Sequence, residues 1–172
     1  MKKMLFPFTA ENPRTGEGSA VLLRDGRVFL LFSRFSGAAD HDGSCLAGGF
    51  LDVETGRLSE ERILFPEGHW LNQMSVSLER LLDGSVGLVF MRKLSAGHAV
   101  VLFSRSPDEC RSWTEPRMIS HAFAGDYFVV NNDRLRALSS GRLVLPVCVY
   151  SGGFKGVPSC LVLWYSDDMG TT

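Results

Sequence analysis

The sequence offers little that would serve a metal, a membrane or a nucleic acid. Its four cysteines, Cys45, Cys110, Cys148 and Cys160, form no C-x-x-C pair and stand beside no paired-histidine motif, so the spacing of a zinc or redox site is absent. They read as buried free thiols and fit a reducing compartment. No apolar run approaches the ~20 residues of a membrane-spanning helix. The N-terminus, Met1-Lys2-Lys3-Met4-Leu5-Phe6-Pro7, begins like a secretory leader, but Pro7 breaks its apolar stretch and Glu11 ends it, too short for a leader core. A cytoplasmic location is the slightly favoured expectation. Neither sign of charge dominates, with 18 Lys and Arg against 19 Asp and Glu, and a nucleic-acid partner would select a strongly basic face. No segment sustains a helical period.

What the chain does have is repetition. Three stretches share one shape: Leu22 to Arg34 (LLRDGRVFLLFSR), Leu81 to Arg92 (LLDGSVGLVFMR) and Leu138 to Tyr150 (LSSGRLVLPVCVY). Each is two apolar, β-branched-rich runs around an Asp-Gly or Ser-Gly turn, a strong hairpin signal. The turn glycines Gly26, Gly84 and Gly141 recur after 84 − 26 = 58 and 141 − 84 = 57 residues. A period of that length denotes a repeated supersecondary unit. The expected strands run Gly18–Leu23, Val28–Ser33, Ser44–Phe50 and a fourth before Leu64; then Met74–Leu82, Ser85–Met91, His98–Ser104 and Thr114–Ile119; then Val129–Leu138, Arg142–Val149 and Ser159–Tyr165. With 45% hydrophobic residues over 172 positions, the chain is long enough for a substantial core.

A second repeat lies outside the hairpins. Ser106, Asp108, Cys110, Ser112 and Trp113 fall in the same pattern as Ser166, Asp168, Gly170 and Thr172. The pattern is Ser-x-Asp-x-Gly-x-Ser/Thr-Trp, with Cys110 in the glycine's place and the second copy ending one residue before its Trp; Asp52 and Gly56 keep a degenerate third copy. A Ser hydroxyl and an Asp carboxylate bind backbone N–H groups in a tight turn, and the Trp fills the gap between neighbouring sheets. Cys110 must accept positive φ or sit in a slightly different turn.

This pattern resembles the Asp-box of the sialidase superfamily. The resemblance covers residues 12 to 172 and includes the phrases GEGSAVLLRDGRVFLLFSRFSG, NQMSVSLERLLDGSVGLVFMRK and YFVVNNDRLRALSSGRLVLP. It is nearest to bacterial BNR-repeat, exo-sialidase-like proteins. It implies an all-β fold, a partial six-bladed β-propeller of the sialidase type with about three blades. Residues 1–172 would be the N-terminal half of one domain, with blade 1 at about 15–65, blade 2 at about 72–120 and blade 3 at about 127–172, lacking its outermost strand. The resemblance also implies a sialidase-like exo-glycosidase with a carbohydrate substrate and no cofactor or metal. The alternative is a non-catalytic propeller that binds glycan or protein.

In such a propeller the Asp-boxes occupy one face and the site the other. Segments entering the first strands bring Glu17 and Ser19, Asn72 and Ser75, and Asn131, Asn132, Asp133 and Arg134 to the site face; loops leaving the second strands bring Arg34, Asp40, His41, Asp42, Arg92, Lys93 and Tyr150. The resemblance makes Asp40 the candidate acid/base, with Asp42 its rival in the same loop. Arg34 and Arg92, each 8 residues after its turn glycine, are candidates to bind an anionic or polyhydroxylated substrate, or else solvated rim residues. His41 is expected to hydrogen-bond a carboxylate. Asn132, Asp133 and Arg134 either contact ligand or satisfy backbone, and Trp70 and Trp164 read as interblade core. Sialidases carry an arginine just before the first strand that helps bind the sialic acid carboxylate. Here Gly16-Glu17-Gly18-Ser19 holds that place, which argues against tight sialate binding through Glu17. The nucleophilic Tyr and its Glu partner are expected beyond Thr172.

Overall fold

The structure, a computed structural model, describes residues 8–120, 126–151 and 158–172; the leader-like Met1–Pro7 lies outside them. Each turn glycine closes its hairpin identically. In the first, Leu23 N–H donates to Arg27 O at 2.8 Å and Gly26 N–H to Leu23 O at 3.1 Å, and the pair recurs at Leu81/Gly84 and Leu138/Gly141. Gly26, Gly84 and Gly141 all have φ of 85–87°, a left-handed conformation that a Cβ would strain.

These turns organise three antiparallel sheets. Strands β1 (Arg14–Leu22), β2 (Val28–Phe35), β3 (Ser44–Asp52) and β4 (Arg57–Phe65) pair in that order, as do β5 (Asn72–Arg80), β6 (Val86–Ser95), β7 (His98–Ser106) and β8 (Arg117–Met118). In the third sheet β11 (Leu143–Tyr150) pairs β12 (Ser159–Ser166) on one side and two short strands, β9 (Tyr127–Val129) and β10 (Arg136–Ala137), on the other. Two expectations are corrected. The strand expected over Val129–Leu138 is split, because the chain bows out at Asp133, with φ of 59°. The strand expected over Thr114–Ile119 shrinks to Arg117–Met118, since Thr114 N–H instead closes the turn after β7 on Arg105 O.

Burial follows position. β5 and β6 are almost wholly buried, β4 is mostly exposed, and β11 alternates strictly, as inner, outer and intermediate strands of stacked blades should. The first interblade core gathers Phe29, Leu46, Phe50, Leu78 and Phe90, with Trp113 packed against it. Trp164 packs into the second, against Phe128 at 5.3 Å.

The two Ser-x-Asp repeats are turns, each built by two side chains. Asp108 Oδ1 accepts from Ser112 N–H at 2.8 Å, and Ser106 Oγ accepts from Cys110 N–H at 2.9 Å. The second copy repeats this with Asp168, Thr172, Ser166 and Gly170, and these bonds hold the Asp168 carboxyl down at about 2. Cys110 does take the glycine's conformation, at φ 65°. Its thiol is fully buried, which pushes it up to about 12.

The blades are joined at their inner strands. Glu17, Ser75 and Asp133 each have φ between 56° and 60° and recur every 58 residues (75 − 17 and 133 − 75). At the first two, the strand bulges. Around these points amides of one blade donate to the blade before it: Leu78 N–H to Ser19 Oγ, Leu135 N–H to Ser77 Oγ, and Ala137 N–H to Glu79 Oε1. Blades 1 and 3 also meet, through Ser19 Oγ–H and Asp133 Oδ1 at 2.9 Å.

Candidate functional site

The loop after β2 is closed by its own bonds. Ser36 N–H donates to Gly43 O at 2.9 Å, and Ala39 N–H to Asp42 Oδ2 at 2.7 Å. Asp42 is thereby committed to holding the loop, while Asp40 stands at its tip with 68% of its side chain exposed. Blade 2 clamps this loop from beside it. Asn72, fully buried, donates from Nδ2 to the carbonyls of Asp40 at 2.6 Å and Asp42 at 3.2 Å, and Lys93 Nζ donates to Asp40 O at 2.9 Å.

The partner of the Asp40 carboxylate is Arg14. Arg14 Nη1 donates to Asp40 Oδ1 at 2.6 Å and Nη2 to Glu17 Oε1 at 3.0 Å, while the guanidinium lies 4.1 Å over the Phe35 ring. Glu17 Oε2 accepts from both Ser75 N–H and Ser75 Oγ–H. Arg14, Glu17, Asp40 and Lys93 thus form a charge-balanced group over a small core of Phe35, Met74, Met91 and Tyr127.

The electrostatics follow from these contacts. The hydrogen bond from Arg14 holds the Asp40 carboxyl below the usual carboxylate range, against the opposing effect of burial. Burial lowers Lys93, partly countered by Asp40 and Glu17. Burial and the negative charge of Asp40 raise the Tyr127 phenol, so it is not an activated nucleophile.

His41 is exposed next to Asp40 and adds a weak positive influence on it. Asn132 Nδ2 reaches Gly18 O at 3.4 Å, Asp133 binds Ser19 and Arg136, and Arg134 is exposed. Arg34 and Arg92 do not join the group. Arg34 pairs with Glu61 on β4, and Arg92 lies 3.6 Å over the Trp70 ring. Equal phase puts the two arginines at matching places in their blades, but each meets what its own neighbours offer. Arg14 and Tyr127 escaped sequence reasoning. The repeat offered a signal for Arg14, which lies 72 − 14 = 58 residues before Asn72.

No protein-family model matches the sequence, and no curated protein matches it significantly. Solved structures do match. The Hadza microbial sialidase Hz136 superposes with a TM-score of 0.78 at 12% identity, over 94% of this chain and 37% of its own. A protein of unknown function from Dyadobacter fermentans also gives 0.78, at 16% identity, over 96% and 54%. The intramolecular trans-sialidase from Ruminococcus gnavus gives 0.75 at 9% identity, over 94% and 60%. The chain therefore spans between about a third and three-fifths of the length of these structures. At such identities the agreement is one of fold, and the fold is that of three blades of a sialidase-type β-propeller.

Proposed function

We propose that the face carrying Arg14, Glu17, Asp40 and Lys93 binds an acidic terminal sugar and takes part in sialidase-like exo-glycoside hydrolysis. The observation that carries this is the Arg14–Asp40 pair, a cation and a loop carboxylate 2.6 Å apart at the meeting of two blades. Asp40 is the proton donor to the leaving oxygen. Arg14 receives the substrate carboxylate, a part the sequence reading had given to Arg34 and Arg92. Glu17 orients Arg14, and His41, Asn132, Asp133 and Arg134 border this face. A substrate carboxylate that takes Arg14 deprives Asp40 of its partner and brings a negative charge beside it. Both changes raise the Asp40 pKa toward the value a general acid needs. The nucleophile of a sialidase is a tyrosine, and Tyr127 is unsuited to it, so blades further along a longer chain would supply it.

The non-catalytic reading rests on the same pair, since Asp40 held ionised by Arg14 is suited to binding alone. One experiment separates the two. In the full-length protein, Asp40→Asn should lower turnover of a sialoside or uronide with a poor leaving group by roughly 10²–10⁴. It should cost less with an activated aryl leaving group, and Asp42→Asn should matter much less. Equal losses on both leaving groups, or greater damage from Asp42→Asn, would remove Asp40 as the donor. Binding without turnover would favour the binding module.

A further inference from the structure

On the outer side of the seam between blades 1 and 2 lies a cavity of about 480 Å³. Its walls are the end of β4 through Pro66, Trp70, Arg92 and the return segment Arg111–Pro116. It is separate from the Asp40 group, because Arg92 and Lys93 are consecutive on β6 and successive strand residues face opposite sides of a sheet.

Three N–H groups in these walls have no acceptor: Trp70 Nε1, Arg92 Nε and Trp113 Nε1, all buried. They are three of the five orphaned buried side-chain polar atoms among the described residues, and all three residues that carry them line this cavity. Buried donors are normally satisfied, and an orphan carries a desolvation penalty that any acceptor relieves. Arg92 is also a half-buried cation with no carboxylate in ion-pair contact among the described residues; its neutral Gln73 partner is 3.3 Å away. Gln73 is fixed in turn by Phe65 O and Pro66 O. Glu115 lines the same cavity and acts on Arg92 through its charge alone, and Arg111 adds a second cation to the wall.

Arg92 lies over one face of Trp70, and the Phe29 and Phe65 rings pack beside Trp113. What remains is ring-edge N–H plus one guanidinium N–H, beside the apolar walls of Ile63, Leu64 and Pro116. A group with several in-plane lone pairs and a negative charge matches that set. We infer that this cavity is a carboxylate-binding site, taking a small organic acid or the acid group of a sugar, independent of the site at Asp40.

The test uses the full-length protein carrying Arg14→Gln, so that binding beside Asp40 is silenced, with ¹⁵N-labelled indoles. Butyrate, methyl β-D-glucuronide and uncharged methyl β-D-glucoside are titrated in turn. Expected are saturable shifts of the Trp70 and Trp113 indole N–H resonances with both acids, little change at Trp164, and none with the glucoside. Arg92→Gln should weaken binding by about tenfold or more, and the milder Trp113→Phe by about threefold to tenfold. An unshifted Trp164 resonance in each variant confirms that it folds. Glucuronide tenfold tighter than butyrate identifies an acidic sugar; comparable affinities identify a free acid. No shift with either acid, an equal shift with the glucoside, or binding that survives Arg92→Gln overturns the inference.

Discussion

At the scale of single residues the decisive contact is between Arg14 and Asp40. The Asp40 pKa is depressed in the folded protein, which fixes the sign of its linkage to stability. The pair's contribution is fully present above the ordinary carboxylate value of 3.8 and is lost as pH falls through the lower folded value. With the Asp40 side chain 68% exposed, that contribution is about 0.2–1 kcal/mol. Arg14→Gln should therefore raise the Asp40 pKa toward 3.8, read by carboxyl-carbon NMR, with little change in melting temperature. An unchanged pKa would mean that the pair does not persist in solution. The candidate proton donor was legible in the sequence from its loop and its resemblance. Its partner was not, because Arg14 precedes the hairpin and reaches Asp40 across 26 residues only when the loop after β2 folds back. Nor could the sequence tell that Arg34 would find Glu61 or that Arg92 would find Trp70. Those meetings depend on an outer strand and an interblade loop that the hairpin period does not describe.

At the scale of elements, the hairpins and boxes were readable because each is closed locally, by a turn glycine or by an Asp and a Ser within a few residues. The inner strands were less so. The bow in the third one, at Asp133, is shaped by bonds to blades 1 and 2, from Ser19 and to Val76 O. The interblade bonds are open to test. Ser77 is fully buried and its Oγ accepts from Leu135 N–H at 2.7 Å. Ser77→Ala would orphan a buried amide and should destabilise the protein by about 1–3 kcal/mol. Hydrogen exchange of the Leu135 amide should accelerate accordingly; an unchanged rate and unchanged stability would show that water replaces the hydroxyl.

At the scale of the whole molecule, three blades leave a surface that the stacking elsewhere covers. On β12, Leu161, Leu163 and Tyr165 are exposed by 77%, 62% and 63%, on a strand paired on one side among the described residues. Unpaired edges and contiguous apolar patches promote association. Residues 1–172 expressed alone should therefore form oligomers or aggregates in light scattering. Charged substitutions at Leu161 and Leu163 should reduce that association. A sharp monomer with a cooperative melt would contradict this.

The seams between blades also have a direction. At each backbone-amide bond described between the inner strands, the later blade supplies the amide and the earlier blade the acceptor: Ser75 to Glu17, Leu78 to Ser19, Asp133 to Val76, Leu135 to Ser77 and Ala137 to Glu79; at the outer turn Arg24 N–H runs the other way, to Glu109. A ribosome delivers the acceptors first. Each emerging inner strand thus meets a template already in place, and the order in which the chain is made is also the order in which its seams can close.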